Sequence, residues 1–198
     1  MIKITDINNS EPYILFNNLY NKALIKNQKN IEAISVSSFD RNLNEVQSRY
    51  VNLKYLQDNK WIFFSNYNSP KAESFKTHDQ VSILFFWQTI NIQIRMKAKI
   101  IKTSESFNND HFFNRSKEKN ALAISSDQSK LIDSYKTVKT NYKNALESDN
   151  LLECPKYWGG FSFTPYYFEF WEGHKSRLNK REIYEMKRDK WEHFFIQP

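Results

Sequence analysis

The sequence predicts an α+β protein in which predominantly antiparallel strands form a barrel or a strongly curled sheet, with helices at its periphery. Three observations favour this class. Apolar residues recur at every second position in several segments, most clearly from Ile92 to Ile100. Segments of helical period are inserted between groups of strands and do not alternate with them one by one, which argues against a doubly wound parallel sheet. No repeat or linker interrupts the 198 residues, so we expect a single domain, 1–198.

The first fifty residues predict a helix followed by a hairpin. Ser10-Glu11-Pro12 is a typical helix start, and the helix is expected at about residues 10–27. Its apolar face follows at helical spacing in Phe16, Leu19, Tyr20, Ala23 and Leu24. A period of two then predicts strands at Ile34–Val36 and Val46–Leu53, joined by a turn at Asp40-Arg41-Asn42.

The middle of the chain predicts three more strands and one helix. Trp61 to Phe64 is a short apolar strand, and Pro70 suits the first position of a helix that reaches about Thr77. The continuous apolar run from Val81 to Phe86 predicts a strand buried on both faces. Ile92 to Ile100 alternates without a break, so one face of that strand is expected in the core and the other is basic or polar.

The second half predicts helices and then strands. The pattern is helical, in two short pieces, from Ser104 to Ile124. Helical spacing then indicates an amphipathic helix through Leu131, Tyr135, Val138, Tyr142 and Ala145. Strand character returns from Trp158 to Trp171, and a last pair is expected at Ile183–Arg188 and Trp191–Phe195, joined at Asp189-Lys190.

The composition excludes several kinds of site. The only glycines are Gly159, Gly160 and Gly173, so neither a dinucleotide-binding glycine loop nor a P-loop can form. A single cysteine, Cys154, excludes an internal disulfide and a cysteine-rich zinc site, and it fits a reducing compartment. The four histidines lack metal-binding spacing, so we expect no metal. No segment is apolar enough to span a membrane, and we expect a cytoplasmic protein.

The net positive charge suggests a nucleic-acid partner, but the distribution of the charged residues argues against one. Lys and Arg number 29 against 22 Asp and Glu, a formal net charge of +7. The basic residues are spread along the chain and interleaved with acidic ones, which is typical of a solvated surface. We therefore expect no nucleic-acid partner.

Basic and amide side chains fall near the predicted strand ends and helix starts. Such groups hold phosphates by charge-assisted hydrogen bonds, and a helix that begins near Pro70 would also attract an anion. Taken singly, each is also explained as a surface charge, so residue types alone leave both interpretations open. The residues are Arg49, Lys54, Lys71, Gln93, Arg115, Gln128, Ser129, Arg177 and Arg181.

Taken in order, these residues lie in segments that resemble a known family. Residues 49–54, Arg-Tyr-Val-Asn-Leu-Lys, resemble the R-x-V-x-L-K strand of the pyridoxamine/pyridoxine 5′-phosphate oxidases. The match continues through Phe64-Ser65-Asn66, Ser69 to Ala72, Val81 to Trp87, Gln93, Gln128-Ser129, Trp158 to Phe161, Glu169-Phe170-Trp171, Arg177-Leu178, Arg181, Trp191 and Pro198. It covers about residues 6–198 with little gapping.

The resemblance implies an FMN-binding split barrel that works as a homodimer, with FMN at the subunit interface. It implies FMN contacts from Arg49, Tyr50, Val51, Asn52, Leu53, Lys54, Phe64, Ser65, Lys71, Gln93, Gln128, Ser129, Trp171 and Arg181. It implies substrate contacts from Lys54, His111, Arg115, Lys119, Arg177, Leu178 and Asn179, of which Arg177 and Asn179 are the catalytic positions.

The activity that the resemblance implies is oxidation of pyridoxamine or pyridoxine 5′-phosphate to pyridoxal 5′-phosphate, with dioxygen as the electron acceptor. In that family a hydride passes from the substrate C4′ to flavin N5, dioxygen reoxidises the flavin to give peroxide, and the imine of the amine substrate is hydrolysed. The partners implied are a phosphorylated small molecule, dioxygen and a second copy of the chain. Because the flavin carries the redox chemistry, the lack of a nucleophile or metal motif is expected.

Several positions depart from the family pattern. Pro70 stands where the family has an arginine on the FMN phosphate, His111 where it has tyrosine, and Lys119 where it has serine. Asn179 replaces the histidine of the R-L-H motif, and an amide does not exchange a proton near neutral pH as an imidazole does. The closing R-L-x-P is altered to Phe195-Ile196-Gln197-Pro198.

These departures keep two alternatives open beside the named oxidase. One is an FMN oxidase of the same fold that acts on another compound, such as a secondary-metabolite intermediate of the kind that phenazine-biosynthesis relatives process. The other is a non-catalytic binder of flavin or pyridoxal phosphate.

Overall fold

The computed structural model describes residues 1–147 and 150–198. The helices are α1 (Glu11–Ile25), α2 (Pro70–Thr77), α3 (Glu105–Phe113), α4 (Lys117–Ser125) and α5 (Tyr135–Leu146). The strands are β1 (Lys3–Ile7), β2 (Ala33–Asp40), β3 (Glu45–Asp58), β4 (Lys60–Asn66), β5 (Gln80–Trp87), β6 (Ile92–Lys102), β7 (Trp158–Glu172), β8 (Lys180–Lys187) and β9 (Lys190–Phe195). The chain is therefore α+β, as the sequence predicts.

The strands form one sheet, whose main path runs β1-β3-β2-β5-β6-β7-β8-β9. The short strand β4 lies off this path and pairs with both β3 and β7. The pairings β3-β2-β5-β6-β7-β4-β3 therefore close into a ring of six strands. Every pairing among the described residues is antiparallel except that of β1 with β3, which is parallel. The sequence interpretation assigned no strand before residue 10, so β1 and its parallel pairing are a correction to it.

The core lies inside the strand ring and is closed by α1. The alternation of β6 places Ile92, Ile94, Met96, Ala98 and Ile100 inside, as predicted. Phe16 of α1 packs its ring edge-on against Trp61, with 4.5 Å between the ring centroids, and also contacts Phe85 and Trp87. Burial of such an aromatic side chain contributes about 1.5–3 kcal/mol, and Tyr13 and Tyr20 of α1 are buried in the same core.

Two expectations about individual elements are wrong. Strand β5 is not buried on both faces: Val81, Ile83 and Phe85 point inward, whereas Ser82 and Phe86 are exposed. An apolar run alone does not distinguish the two cases. Leu131 is fully exposed and lies before α5, because Ser134 caps that helix by accepting a hydrogen bond from the Thr137 backbone N–H.

Neither a membrane-spanning helix nor a metal cluster occurs in the described parts of the chain. No helix within 1–147 or 150–198 is long and apolar enough to cross a membrane. In the same residues, no group of three or more His, Cys, Asp and Glu side chains is placed to hold a metal ion.

Candidate functional site

The first group of predicted site residues surrounds the ammonium of Lys71, and we call it the Lys71 cluster: Arg49, Ser65, Lys71 and Gln128. Strand β4 ends at Asn66, a short loop follows, and Pro70 starts α2, which brings Lys71 back beneath the strand end. Lys71 Nζ donates to Ser65 Oγ at 3.0 Å and to Ser69 Oγ at 3.2 Å. Only 7% of the Lys71 side chain surface is exposed.

Within residues 1–147 and 150–198, the Lys71 cluster holds two cations and no counter-ion. Burial, followed by the like charge of Arg49, lowers the pKa of Lys71 to about 8. Burial also lowers the pKa of Arg49, whose guanidinium donates to Val36 O and to Ser38 Oγ. No carboxylate within residues 1–147 and 150–198 forms an ion pair with either cation. Because buried cations require a compensating anion, this arrangement fits a bound phosphate.

Gln128 closes one side of the Lys71 cluster from the segment between α4 and α5. Its side-chain oxygen accepts hydrogen bonds from Ser65 Oγ at 3.1 Å and from the Asn66 backbone N–H at 3.3 Å. The next residue, Ser129, has φ 68°, so the backbone turns sharply there. The structure therefore brings together, from four separate segments, four FMN contacts that the resemblance implies.

The second group, the Arg115 cluster, consists of Lys54, His111, Arg115 and Lys119. The His111 ring stacks on Phe64 with 3.7 Å between centroids and 9° between planes. Its Nδ1 is hydrogen-bonded to Tyr55 Oη at 2.7 Å. The guanidinium of Arg115 lies 4.5 Å from the centroid of Trp158, a favourable cation–π distance. Helices α3 and α4 and the turn between them thus place His111, Arg115 and Lys119 at the edge of β3 and β4.

The Arg115 cluster is strongly positive. Burial lowers the pKa of His111 to about 4, and the charges of Arg115, Lys54 and Lys119 act in the same direction. Burial is the main cause that lowers the pKa of Lys54. The negative charge of Glu32 raises this pKa, whereas the positive charges of Lys119 and Arg115 lower it further. At neutral pH the cluster therefore presents three cations and one neutral imidazole, which suits a phosphate dianion.

The third group lies at the other end of β7. Gln93, Trp171 and Arg181 face one another across β6, β7 and β8 in the register Gln93↔Trp171↔Arg181. Arg181 is held by the buried carboxylate of Glu169: Nε donates to Oε1 at 2.9 Å, and Nη2 lies 2.7 Å from the same oxygen. Arg95 reaches Oε2 of the same carboxylate at 3.2 Å.

The predicted substrate residues Arg177, Leu178 and Asn179 lie on the loop between β7 and β8. Arg177 and Leu178 are exposed, and Asn179 is half-buried. The Asn179 side-chain oxygen accepts a hydrogen bond from the His174 backbone N–H at 3.0 Å. This loop joins the ends of β7 and β8 that carry Trp171 and Arg181, so it adjoins the row of Gln93, Trp171 and Arg181.

The three groups lie at different positions along the strands of the sheet. Strand β4 joins the first two groups, because its successive residues Phe64 and Ser65 face the Arg115 and Lys71 clusters respectively. Ser65 pairs with Gly159 at the start of β7, whereas Gln93 pairs with Trp171 near its end. Twelve residues separate these two positions, which is about 40 Å along the strand.

The remaining implied FMN contacts follow the alternation of β3. Tyr50 is 79% exposed and Asn52 is also exposed, so both side chains face away from the core. Val51 is half-buried against the core, and the Leu53 side chain is fully buried within it. Leu53 can therefore meet a ligand only through its backbone.

Sequence reasoning missed three residues that shape these groups. Tyr55 is hydrogen-bonded to His111, Glu169 forms an ion pair with Arg181, and Trp158 makes a cation–π contact with Arg115. Glu169 and Trp158 lie in segments that matched the family pattern, but neither had been given a role. Their roles depend on contacts over 12 to 56 residues of sequence, which periodicity does not reveal.

The residues present fit a flavin mononucleotide. The Lys71 cluster offers a buried, uncompensated positive site of hydrogen-bond donors, as a terminal phosphate requires. Arg49, Ser65, Lys71 and Gln128 would hold that phosphate. The position of Pro70 at the start of α2 leaves Lys71 as the cation in the first turn of the helix.

Comparison with known proteins identifies the chain by sequence. Residues 23–147 match the family model described as pyridoxamine 5′-phosphate oxidase, and residues 158–198 match the pyridoxine 5′-phosphate oxidase C-terminal dimerisation region. A pyridoxine/pyridoxamine 5′-phosphate oxidase of Christiangramia forsetii is 34% identical over 91% of this chain and 86% of its own length. One from Hydrogenovibrio crunogenus is 32% identical over 89% and 82% respectively.

Solved structures support the fold. PhzG from Burkholderia lata, determined in complex with tetrahydrophenazine-1-carboxylic acid, has a TM-score of 0.90 at 23% identity, covering 96% of this chain and 93% of its own. A pyridoxamine 5′-phosphate oxidase-related, FMN-binding protein from Nostoc punctiforme has a TM-score of 0.74 at 15% identity, covering 92% and 97%. The family models together span both clusters and the β7–β8 loop. Membership of this family, together with the FMN-binding structural neighbour, supports FMN as the cofactor. The chain belongs to the pyridoxamine 5′-phosphate oxidase family.

Proposed function

We propose that the protein is an FMN-dependent oxidase that converts pyridoxamine or pyridoxine 5′-phosphate to pyridoxal 5′-phosphate. Dioxygen accepts the electrons and leaves as hydrogen peroxide; with the amine substrate, water enters and ammonia leaves. One observation carries the proposal. Strand β4 separates two positive clusters without ion-paired carboxylates in the described residues, and its neighbouring residues Phe64 and Ser65 each face one of them. Such a pair of sites suits two phosphates, one on FMN and one on the substrate.

In this proposal the Lys71 cluster binds the phosphate of FMN. Lys71 supplies a charge that burial makes strongly attractive to an anion, and Ser65 and Gln128 orient it through their mutual hydrogen bond. Arg49, fixed by Val36 O and Ser38 Oγ, adds the second charge. When bound, FMN accepts a hydride from the substrate and transfers electrons to dioxygen.

The Arg115 cluster binds the substrate phosphate in this proposal. Lys54 and Arg115 reach it from β3 and from the end of α3, and Lys119 adds charge from α4. His111 is held by Tyr55 and Phe64, so its ring is positioned before any ligand arrives. Preorganised donors of this kind lower the entropic cost of binding.

We further propose a homodimer with FMN at the subunit interface, and a split-barrel architecture for each subunit. The closed ring of strand pairings supports the barrel. About 40 Å of β7 separates Ser65 from the row of Gln93, Trp171 and Arg181, which is longer than one flavin nucleotide. This length along the strand supports a site in which the second group, with Arg177 and Leu178, comes from another copy. A cytoplasmic location stays a prediction from the sequence.

The proposal is tested on the purified protein reconstituted with FMN. Pyridoxamine 5′-phosphate should be oxidised, with aldehyde and peroxide formed in equal amounts. Unphosphorylated pyridoxamine is the matched control and should turn over poorly, because it cannot use the Arg115 cluster. Tight FMN binding without any turnover of either 5′-phosphate would contradict the named activity.

A second candidate is an oxidase of the same family that acts on a different compound. The replacement of histidine by Asn179 and of tyrosine by His111 favours it. The fold of PhzG, solved with a phenazine carboxylic acid, is very similar to that of this chain. Reduced flavin that is rapidly reoxidised in air, together with no turnover of pyridoxamine 5′-phosphate, would favour this candidate. Flavin that stays reduced in air would instead favour a non-catalytic binder.

A further inference from the structure

The loop between β7 and β8 is folded by its own hydrogen bonds. The His174 carbonyl accepts from the Arg177 backbone N–H at 2.9 Å, which closes a four-residue turn. The His174 ring accepts from the Ser176 backbone N–H through Nδ1 at 3.2 Å. At the base of the loop, the Gly173 backbone N–H donates to the Asn91 carbonyl at 3.0 Å.

Within this loop, the backbone of Arg177 is strained. Arg177 has φ 60°, in the left-handed region that non-glycine residues adopt at a cost of about 1–2 kcal/mol. Such conformations persist where the surrounding structure holds them. The side chains of Arg177 and the neighbouring Leu178 are both exposed, the latter to 72%, so their own packing does not hold the backbone in place.

The side chain of Asn179 adds a second restraint, beside the turn hydrogen bond between Arg177 and His174. Its oxygen accepts from the His174 backbone N–H at 3.0 Å and so joins the two ends of the segment that carries Arg177. The donor is a backbone N–H, so the contact requires an acceptor at this position and makes no use of the amide nitrogen. An asparagine side chain has no titratable proton near neutral pH.

We propose that Asn179 is a positioning residue, whose side-chain oxygen fastens residues 174–179 and thereby presents Arg177 and Leu178 to the substrate. This inference rests on the proposed function for the identity of the substrate. It assigns the Asn179 amide no proton transfer and no direct hydrogen bond to the substrate. The proposal requires at position 179 a side chain that is as long as that of asparagine and ends in a hydrogen-bond acceptor.

Two variants separate fastening from direct substrate contact. Asn179→Asp keeps an oxygen at the same place and removes the amide donor, whereas Asn179→Ala removes both. Ser176→Ala is the control in the same loop, because Ser176 contributes its backbone N–H to the hydrogen bonds of the turn. Repeating the measurements at higher salt screens the charge that Asp adds.

The first measurement needs no substrate. Hydrogen exchange of the His174 backbone amide, and trypsin cleavage after Arg177, should be about five- to tenfold faster in Asn179→Ala, the effect of losing one hydrogen bond. Both should be near wild type in Asn179→Asp and Ser176→Ala. An exchange rate in Asn179→Ala equal to that of wild type would overturn the fastening role, whatever the enzyme oxidises.

The second measurement uses FMN-loaded protein with pyridoxamine 5′-phosphate. KM should rise about five- to tenfold in Asn179→Ala with a smaller change in kcat, and Asn179→Asp should restore it to within about twofold of wild type. Equal losses in Asn179→Asp and Asn179→Ala would show that the amide donor acts on the substrate and would overturn the proposal. A wild-type protein without turnover would contradict the proposed function alone, because the hydrogen-exchange measurement tests the role of Asn179 in the loop without any substrate.

Discussion

Glu169 and Arg181 form an ion pair across β7 and β8, with 2.7 Å between Arg181 Nη2 and Glu169 Oε1. Only 2% of the Glu169 side chain is exposed, and its other oxygen lies 3.2 Å from Arg95 Nη2. The guanidinium of Arg181 also donates through Nη1 to the Gln197 carbonyl at 3.1 Å. The Glu169 carboxylate therefore fixes two arginines, and one of them, Arg181, attaches the C-terminal segment to the sheet.

This arrangement predicts that Glu169→Gln destabilises the protein by about 1–3 kcal/mol. The substitution leaves Arg181 with a neutral partner and removes the charge between two cations. Glu185→Gln on β8 is the matched control: Glu185 is only half-buried and pairs with the exposed Lys187 at 3.7 Å, so the loss of this ion pair should cost less than about 1 kcal/mol. Denaturant unfolding measures both. Equal costs would contradict the central role of Glu169.

The pKa of Lys71 predicts how FMN binding depends on pH. A phosphate requires the protonated ammonium, and the pKa of Lys71 is lowered to about 8 in the free protein. FMN affinity should therefore fall by about twofold from pH 7 to 8 and by about a further fivefold from pH 8 to 9, as one proton is lost. Titration of flavin fluorescence measures this. Lys71→Arg stays protonated and should lose the dependence; the same fall in that variant would assign it to another group.

His111 predicts a loss of stability in acid. Its folded pKa of about 4 lies below the value of about 6.5 in an unfolded chain, so the unfolded chain binds more protons between these limits. The stability that follows from the neutral ring is thus fully present above pH 6.5 and lost as pH falls towards 4. His111→Phe keeps the stacking on Phe64 and removes the titration. Its stability relative to wild type should rise from pH 7 to 4.5; a constant difference in free energy of unfolding would contradict this.

Gly159 predicts a packing limit at the start of β7. A Cβ at this position would overlap the hydroxyl of Tyr67 and the amide of Asn108, which are hydrogen-bonded to each other at 3.0 Å in the interior. Gly159→Ala should therefore cost about 1–3 kcal/mol in free energy of unfolding. Gly173→Ala is the control, since the side chain that its Cβ would meet belongs to the exposed Asn91 and can move. Thermal unfolding compares them, and a smaller loss for Gly159→Ala would refute the overlap.

The sequence predicts most of the fold because the strong local signals agree with the tertiary structure. The alternation of β6 and the proline at the start of α2 each appear where expected. Strand β1 was missed because its five residues are stabilised by pairing with the distant end of β3, for which no local pattern exists. The exposure of Phe86 was missed for a similar reason, since an apolar run does not reveal which face is covered.

For the site, local motifs predict which residues lie close together in the structure, but they do not predict which contacts hold those residues in place. Ser65, Lys71 and Gln128 came from three separate motifs and lie within hydrogen-bond distance along one chain of contacts. The roles of Tyr55 and Glu169 could not be predicted, because each depends on a partner brought near only by the folded sheet.

The central claim is that two separate clusters hold two different phosphates. Its most direct test is the dissociation constant for FMN and the KM for pyridoxamine 5′-phosphate in Lys71→Met and Arg115→Met. Each lost charge-assisted contact should weaken its own ligand by about ten- to a hundredfold. We predict that Lys71→Met weakens FMN but not riboflavin and leaves the KM near wild type in saturating FMN. Arg115→Met should raise the KM and leave FMN binding unchanged. If both variants instead weaken the same ligand, the two clusters form a single site and the account is contradicted.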